Sequence, residues 1–315
     1  MTESPQRVTA LGGGHGLHAS LSALRHLPVD LTAVVTVADD GGSSGRLRSE
    51  FGVLPPGDLR MALAALCGDD EWGETWARVL QHRFAGTGEM RGHVTGNLLI
   101  VSLWELLGDH VTALDWVGRL LGARGRVLPM ALTPLDISAR VRGLDPSDPD
   151  ALSTVRGQVA VAKSAGAIES ISLLPDDPQP CPEAAEAVRT ADMVVLGPGS
   201  WFTSVLVHLM VPALREALTE THAHVVLVLN LGHDGETEGF RAVDHLRVLL
   251  EHGPDLTVGT VLVDQSDAPD LTELEALAGK CGARLTVADM GREDGTPRHD
   301  PEKLASAYAE ILGGL

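Results

Sequence analysis

The stretch Thr36-Val-Ala-Asp-Asp-Gly-Gly-Ser-Ser-Gly-Arg-Leu-Arg-Ser-Glu-Phe-Gly-Val-Leu-Pro-Pro-Gly-Asp-Leu-Arg60 decides how this chain reads. The run that feeds it, Leu31 to Val37, is short and rich in β-branched residues, the pattern of a buried strand. Asp39 and Asp40 stand at its end, followed by Gly41, Gly42, Ser43, Ser44 and Gly45, then Arg46 and Arg48. A loop of this kind offers bare backbone N–H groups, hydroxyls and cations to one point in space, and these are the groups that hold phosphate oxygens. The paired carboxylates could hold a ribose hydroxyl or a hard cation such as Mg²⁺. The same composition also suits a ligand-free turn with a solvated acidic corner. Pro55-Pro56-Gly57 breaks the chain, and Asp58 is placed to cap the helix that follows. Arg60 falls in that helix's first turn, where a cation opposes the dipole, so its use points to a ligand.

Upstream, Arg7 to Leu11 reads as the first strand. Gly12-Gly13-Gly14-His15-Gly16 follows at once, then Leu17, Leu21, Leu24 and Leu27 at helical spacing. Strand, glycine loop and helix open a nucleotide-binding βαβ unit. The dinucleotide spacing G-x-G-x-x-G fails because position 17 is Leu, which ranks a nicotinamide oxidoreductase last among the enzyme readings. Gly13, Gly14 and Gly16 would approach the ligand, with His15 orienting it at the same mouth.

Downstream, Trp72 to Phe84 reads as a helix whose Trp72, Trp76, Val79 and Leu80 face the core. Gly88 to Asn97 is a polar, glycine-punctuated entry to an apolar helix, Leu98 to Leu107. His93 and Asn97 could contact a ligand there, or Thr95 or Asn97 could simply cap the helix. Val111 to Leu121 is a further helix. Residues 125–171 change character, with β-like pieces at 138–142 and 153–162, and read as a small antiparallel excursion. Alternation then resumes. The strand Asp192 to Leu196 meets a second glycine loop, Gly197-Pro198-Gly199-Ser200, which leads into a helix. The strand His224 to Asn230 ends in a polar Asn230 before Gly232-His233-Asp234-Gly235-Glu236-Thr237. Asp300-Pro301 is a cap and first-turn pair for the last helix. Arg298 has no capping role and could reach a phosphate.

The expected fold class is α/β, a Rossmann-like three-layer α/β/α arrangement with a mostly parallel sheet and the antiparallel excursion at mid-chain. One domain is expected over residues 1–315. The glycine loops would then share the carboxyl edge of the sheet.

Composition narrows the partners. Lysine plus arginine number 24 against 43 acids, a net charge of −19, and aromatics are 3%, which excludes a nucleic-acid-coating surface. Any anion must be held by backbone amides and a few arginines. Cys67, Cys181 and Cys281 form no C-x-x-C pair, which fits a reducing cytoplasm. The polar start Met1 to Gln6 offers no signal peptide, and no apolar run reaches membrane-spanning length.

The motifs Leu11 to Leu17, Val35 to Arg48, Pro55 to Arg60, Gly92 to Leu98 and Gly197 to Ser200, in that order, resemble the YvcK-type gluconeogenesis factor family of the CofD-like group. The resemblance runs from Arg7 to the last helix. It implies a cytoplasmic regulator that binds a UDP-sugar such as UDP-N-acetylglucosamine and supports cell shape, cell-wall synthesis and growth on gluconeogenic carbon. It implies no catalytic residue, and a homo-oligomer with a cell-wall protein as partner is the expected setting. The other CofD-like branch transfers 2-phospholactate to the deazaflavin Fo, and lacks the Gly-Gly-Ser-Ser-Gly-Arg-Leu-Arg loop. This chain departs from the family at His15, where Thr is usual, in the shortened segment after Asn230, and in Trp201-Phe202 where Tyr is usual. On the resemblance, Ser43, Ser44, Gly199 and Ser200 would contact phosphates and Arg298 would add charge.

Overall fold

The first strand of the computed structural model is sealed on both faces: Val8 and Ala10 are fully buried and Leu11 nearly so. A strand buried this way belongs in the middle of a parallel sheet. The structure describes residues 4–232 and 235–315, side chains 268–270 excepted; Met1 to Glu3, His233 and Asp234 of the segments considered above lie outside the described residues. The strands are β1 (Gln6–Gly12), β2 (Val29–Val35), β3 (Arg126–Pro129), β4 (Asp136–Arg142), β5 (Leu152–Arg156), β6 (Ala167–Leu174), β7 (Met193–Leu196), β8 (His224–Val228), β9 (Thr260–Asp264) and β10 (Arg284–Ala288). The helices are α1 (Gly14–Leu24), α2 (Gly42–Phe51), α3 (Gly57–Ala65), α4 (Glu71–Gln81), α5 (Thr95–Leu107), α6 (His110–Leu121), α7 (Gln158–Ala162), α8 (Pro182–Arg189), α9 (Pro212–Glu220), α10 (Ala242–His252), α11 (Leu271–Lys280) and α12 (Pro301–Leu312).

Seven strands form one parallel sheet in the order β10-β9-β8-β7-β1-β2-β3, and helices cover both of its sides. The order reverses between β1 and β7, so the chain turns left after one and right after the other and leaves a crevice at their carboxyl ends. Register fixes what meets there. Leu11 lies opposite Val34 and Leu196, and Leu196 opposite Leu227. The first glycine loop, the Asp39 stretch, the second glycine loop and Asn230 therefore leave the sheet at one level. The α/β expectation holds.

The remaining strands form an antiparallel sheet in the order β5-β4-β6. The excursion thus spans 136–174 rather than 125–171: Arg126–Pro129 is the edge strand of the main sheet, pairing with β2 through Val127 and Leu128. The expected β piece at 153–162 is two elements, because Gly157 takes φ +93° and turns β5 into α7.

Other boundaries shift for local reasons. Gly41 to Arg48 is not a loop but the start of α2, since Asp39 Oδ1 accepts the Gly41 N–H at 2.9 Å and the helix begins at Gly42. Asp58 is not the cap of α3; Pro56 holds that place and Asp58 lies inside the first turn. The Trp72 helix ends at Gln81, where Arg83 bridges back to Val94, and of its proposed core face only Leu80 is buried, with Trp72 56% exposed. The apolar helix starts at Thr95 with no side-chain cap. A wide turn over 201–205 and a tight one over 206–210 replace the regular helix expected after Ser200. Asp300 does cap α12, accepting from Glu302 and Lys303. No described helix is long and apolar enough to cross a membrane.

Candidate functional site

Two hollows open on the parallel sheet. One, of about 1290 Å³, lies at the amino ends of the strands. Its arginines are already matched: Arg7 with Asp192, and Arg189 with Glu216 and Glu220. The other, about 970 Å³, sits at the carboxyl edge over the crevice between β1 and β7. That one gathers glycine loops, carboxylates and arginines that have no salt-bridge partner among the described residues, and it is the candidate site.

Its floor is the contact of the two glycine loops. A Cβ on Gly16 would stand 2.1 Å from the carbonyl oxygen of Pro198 and 2.6 Å from the Cα of Gly199, so only glycine lets the loops close on each other. Asn230, at the end of β8, locks the second loop: its amide donates to Gly199 O at 2.8 Å and accepts from Gly199 N at 2.9 Å. Gly13, Gly14, His15 and Gly16 place the N-terminus of α1 in the cleft, with His15 exposed. That terminus carries positive dipole charge, a seat for an anion, and its Gly14 N–H already reaches the Asp58 carboxyl.

Acids and bases are set around this seat. Asp39 and Asp58 both face the cleft. Burial, then the neighbouring Asp39 charge, push the Asp58 carboxyl up to about 7, although the Gly14 N–H favours its charged form. Arg60 is 7% exposed and bonds Gln81 Oε1; burial, then the nearby Arg83, bring its guanidinium down to about 10. Arg292 and Arg298 stand at the opposite wall, paired through their backbones at 3.1 Å, with Arg298 exposed. Glu236 accepts the Phe202 N–H at 2.8 Å, and burial raises its carboxyl to about 7. His299, buried beside Pro301, is pushed down to about 4 by desolvation.

The structure brings Gly13, Gly14, His15, Gly16, Asp39, Asp58, Arg60, Gly199, Ser200, Asn230 and Arg298 to this one cleft. It does not bring the other candidates there. Asp40 turns away to accept the Val159 N–H at 3.0 Å. Ser43 bonds His93 Nδ1 at 3.3 Å and the Val94 N–H at 3.2 Å, and Asn97 donates to Ser44 Oγ at 3.5 Å. These four polar side chains tie α2 to the start of α5, while the buried Asn97 Oδ1 has no hydrogen-bond partner among the described residues. Arg46 donates to the carbonyls of Glu89 and Arg91. Gly197 accepts from Ser20 below the cleft.

Sequence reasoning passed over His18, Gln81, Arg83, Thr203, Ser204 and Arg292, which also line the cleft. His18 lies one turn beyond Gly14, so its spacing could have placed it. Arg83 was hidden by the overlong α4, and nothing in the sequence singles out Arg292. Among the described residues no group of three or more His, Cys, Asp and Glu side chains is arranged to hold a metal. Asp39 and Asp58 are a pair that suits Mg²⁺ brought in on a ligand's phosphates, since that ion needs only one or two carboxylates.

A family model described as "2-phospho-L-lactate transferase CofD" matches residues 8–293. Over 312 residues the chain is 53% identical to a Mycobacterium tuberculosis protein named "Putative gluconeogenesis factor", covering 98% of this chain and 90% of that one. A Bacillus subtilis protein named "Gluconeogenesis factor" is 34% identical over 323 residues, covering 97% and 98%. A crystal structure from Bacillus halodurans, described as a member of the UPF0052 family, superposes with a TM-score of 0.84 at 33% identity, covering 97% of this chain and 99% of the other.

Proposed function

The chain belongs to the CofD family, in its gluconeogenesis-factor (YvcK) branch, and on that premise we propose that it is a cytoplasmic regulator whose carboxyl-edge cleft binds a UDP-sugar. The observation that carries this reading is the joining of the two glycine loops at Gly16 and Pro198 beneath arginines that have no salt bridge among the described residues. A diphosphate would lie on the N-terminus of α1, with Arg298 adding charge-assisted hydrogen bonds. Asp39 and Asp58 would meet ribose or sugar hydroxyls, or Mg²⁺ carried by the diphosphate. Binding would be passed to a protein partner acting on cell shape and cell-wall synthesis.

Calorimetry with UDP-N-acetylglucosamine, UDP-glucose, UDP and NAD, with and without Mg²⁺, tests this. Micromolar binding of a UDP-sugar, tighter than UDP, is the expected outcome; silence towards every UDP-sugar would sink the reading. Arg298→Ala should weaken binding by ~1.5–3 kcal/mol, the usual worth of a hydrogen bond to a charged group.

A transferase acting on Fo is the second reading, favoured by the two cleft-facing carboxylates and by the description of the matching family model. Against it stands the intact Gly41 to Arg48 segment, absent from that branch. Product formation from Fo and a nucleotide-activated phospholactate donor would decide for it.

A further inference from the structure

The antiparallel excursion leaves a strand edge open. In the order β5-β4-β6, β5 pairs only on its β4 side. Just beyond that ladder the Gly157 N–H donates to Ile137 O at 2.8 Å. By the alternation of an antiparallel pair, Val155 and Ser153 then bond β4, and Leu152, Thr154 and Arg156 turn their N–H and C=O groups outward. No backbone bond outside the β4 ladder reaches these three among the described residues. The strand has no proline and no register shift against β4, and Leu152 is 41% exposed. Such an edge is a template for an added strand.

The outer face beside this edge is basic. Register sets Arg156 opposite Ser138 and Thr154 opposite Arg140, so the two arginines are diagonal neighbours on one face. Both are exposed. Neither has a salt bridge among the described residues, whereas Arg142 on the same face is matched by Glu169. Asp136, one position further along that face of β4, is matched by Arg48. The acids of the β4–β5 loop, Asp145, Asp148 and Asp150, lie past Leu152, at the other end of the strand. In a chain of net charge −19, two unmatched arginines locally reverse the sign and attract an acidic partner.

We propose that the β5 edge is a docking surface for an extended acidic segment of a partner protein, which adds as a fourth strand and sets a carboxylate against Arg156, with Arg140 behind it. The open backbone edge favours a protein strand over a nucleic acid or an anionic lipid surface, which would use the two charges alone. A second copy would bring its own arginines to the same edge, so like charge disfavours it. β5 leads through Gly157 into α7, so the added strand would lie next to the wall of the cleft, and the inference holds whatever fills that cleft.

A fluorescein-labelled peptide of alternating valine and glutamate is the probe, read by anisotropy against the full chain. It should bind about tenfold or more tighter than the same peptide with lysine in place of glutamate. Arg140→Ala and Arg156→Ala together should remove that preference. Thr154→Pro blocks the edge through an outward N–H that the β4 ladder does not use, so the chain should keep its urea midpoint and lose the peptide. Should that variant fold poorly, two peptides N-methylated on alternate residues, one in each phase, decide: one phase should lose binding. The proposal is overturned if the acidic peptide does not bind, if acidic and basic peptides bind alike, or if binding survives either Thr154→Pro or both methylated forms. A concentration-dependent dimer that Thr154→Pro abolishes would give the edge to a second copy and overturn it as well.

Discussion

Asp39 and Asp40 are neighbours in the chain and serve different parts of the molecule. Asp39 faces the cleft and turns the backbone into α2 through Gly41. Asp40 points away and holds the N-terminal turn of α7, in the antiparallel excursion. The same division runs along the whole Thr36–Arg60 stretch. Asp58 and Arg60 line the cleft, while Ser43 and Ser44 bind His93, Val94 and Asn97. A run of chemically suggestive residues is thus part cleft lining and part internal bracing. Alternation in strands and the start of a helix decide which is which.

The largest effect should come from separating the loops that make the cleft floor. Gly16→Ala puts a methyl group against the backbone of Pro198 and Gly199, neither of which is a side chain that can swing aside. A loss of about 3 kcal/mol is expected, the upper end for overpacking, read from urea midpoints. Wild-type stability would mean that the loops part freely and that their contact does not define the site.

Next is the charge of the cleft carboxyls. Asp58 has an unfolded value of 3.8 and a folded one of about 7, so the folded chain holds the extra proton between them. Its contribution to stability is therefore full below about pH 4 and is lost as pH rises through 7. Asp58→Asn lacks this slope. The difference in unfolding free energy between the two proteins should shift in the variant's favour by ~2–3 kcal/mol from pH 5 to pH 7, then level off. Glu236 and His299 titrate in both proteins and cancel. A flat difference would put Asp58 in water and remove it from the enclosed side of the comparison.

Much of this was legible beforehand. Strand runs such as Leu31 to Val37, followed by glycine loops, announce a parallel sheet with its loops at one edge, because a fully buried strand must be apolar throughout and its turn must be small. The excursion was legible as a change of character but not in its bounds: the four-residue β3 has no periodicity of its own and owes its place to pairing with β2. In the site, the glycine loops, Asp39 and Arg298 could be named from residue type. The inward turn of Ser43, Ser44, His93 and Asn97 could not, since it depends on α2 packing against α5, a contact between segments about fifty residues apart. Arg83 reaches the cleft only because α4 stops at Gln81.

That bracing makes the third prediction. Ser43→Ala removes the acceptor of the buried Val94 N–H and the partner of His93. An unsatisfied buried donor costs about 1–2 kcal/mol here, seen as a lower thermal midpoint. Affinity of the folded protein for a UDP-sugar should be retained. A large loss of affinity without loss of stability would move Ser43 to the ligand side.

The smallest effect tests the aspartate pair itself. Asp40→Ala leaves the Val159 N–H without its carboxylate, a cap worth about 1 kcal/mol, and α7 is short and its cap is exposed. The loss should therefore be local: faster amide exchange over 158–162, with a small change in global stability. Because Gln158, Val159 and Ala162 form part of the cleft wall, loosening α7 should weaken a ligand modestly. Asp39→Ala, which removes a group facing the ligand, should weaken it more. Equal losses from the two substitutions would mean that the wall contributes as much as the carboxylate, and the ligand would then be held by the excursion as well as by the sheet edge.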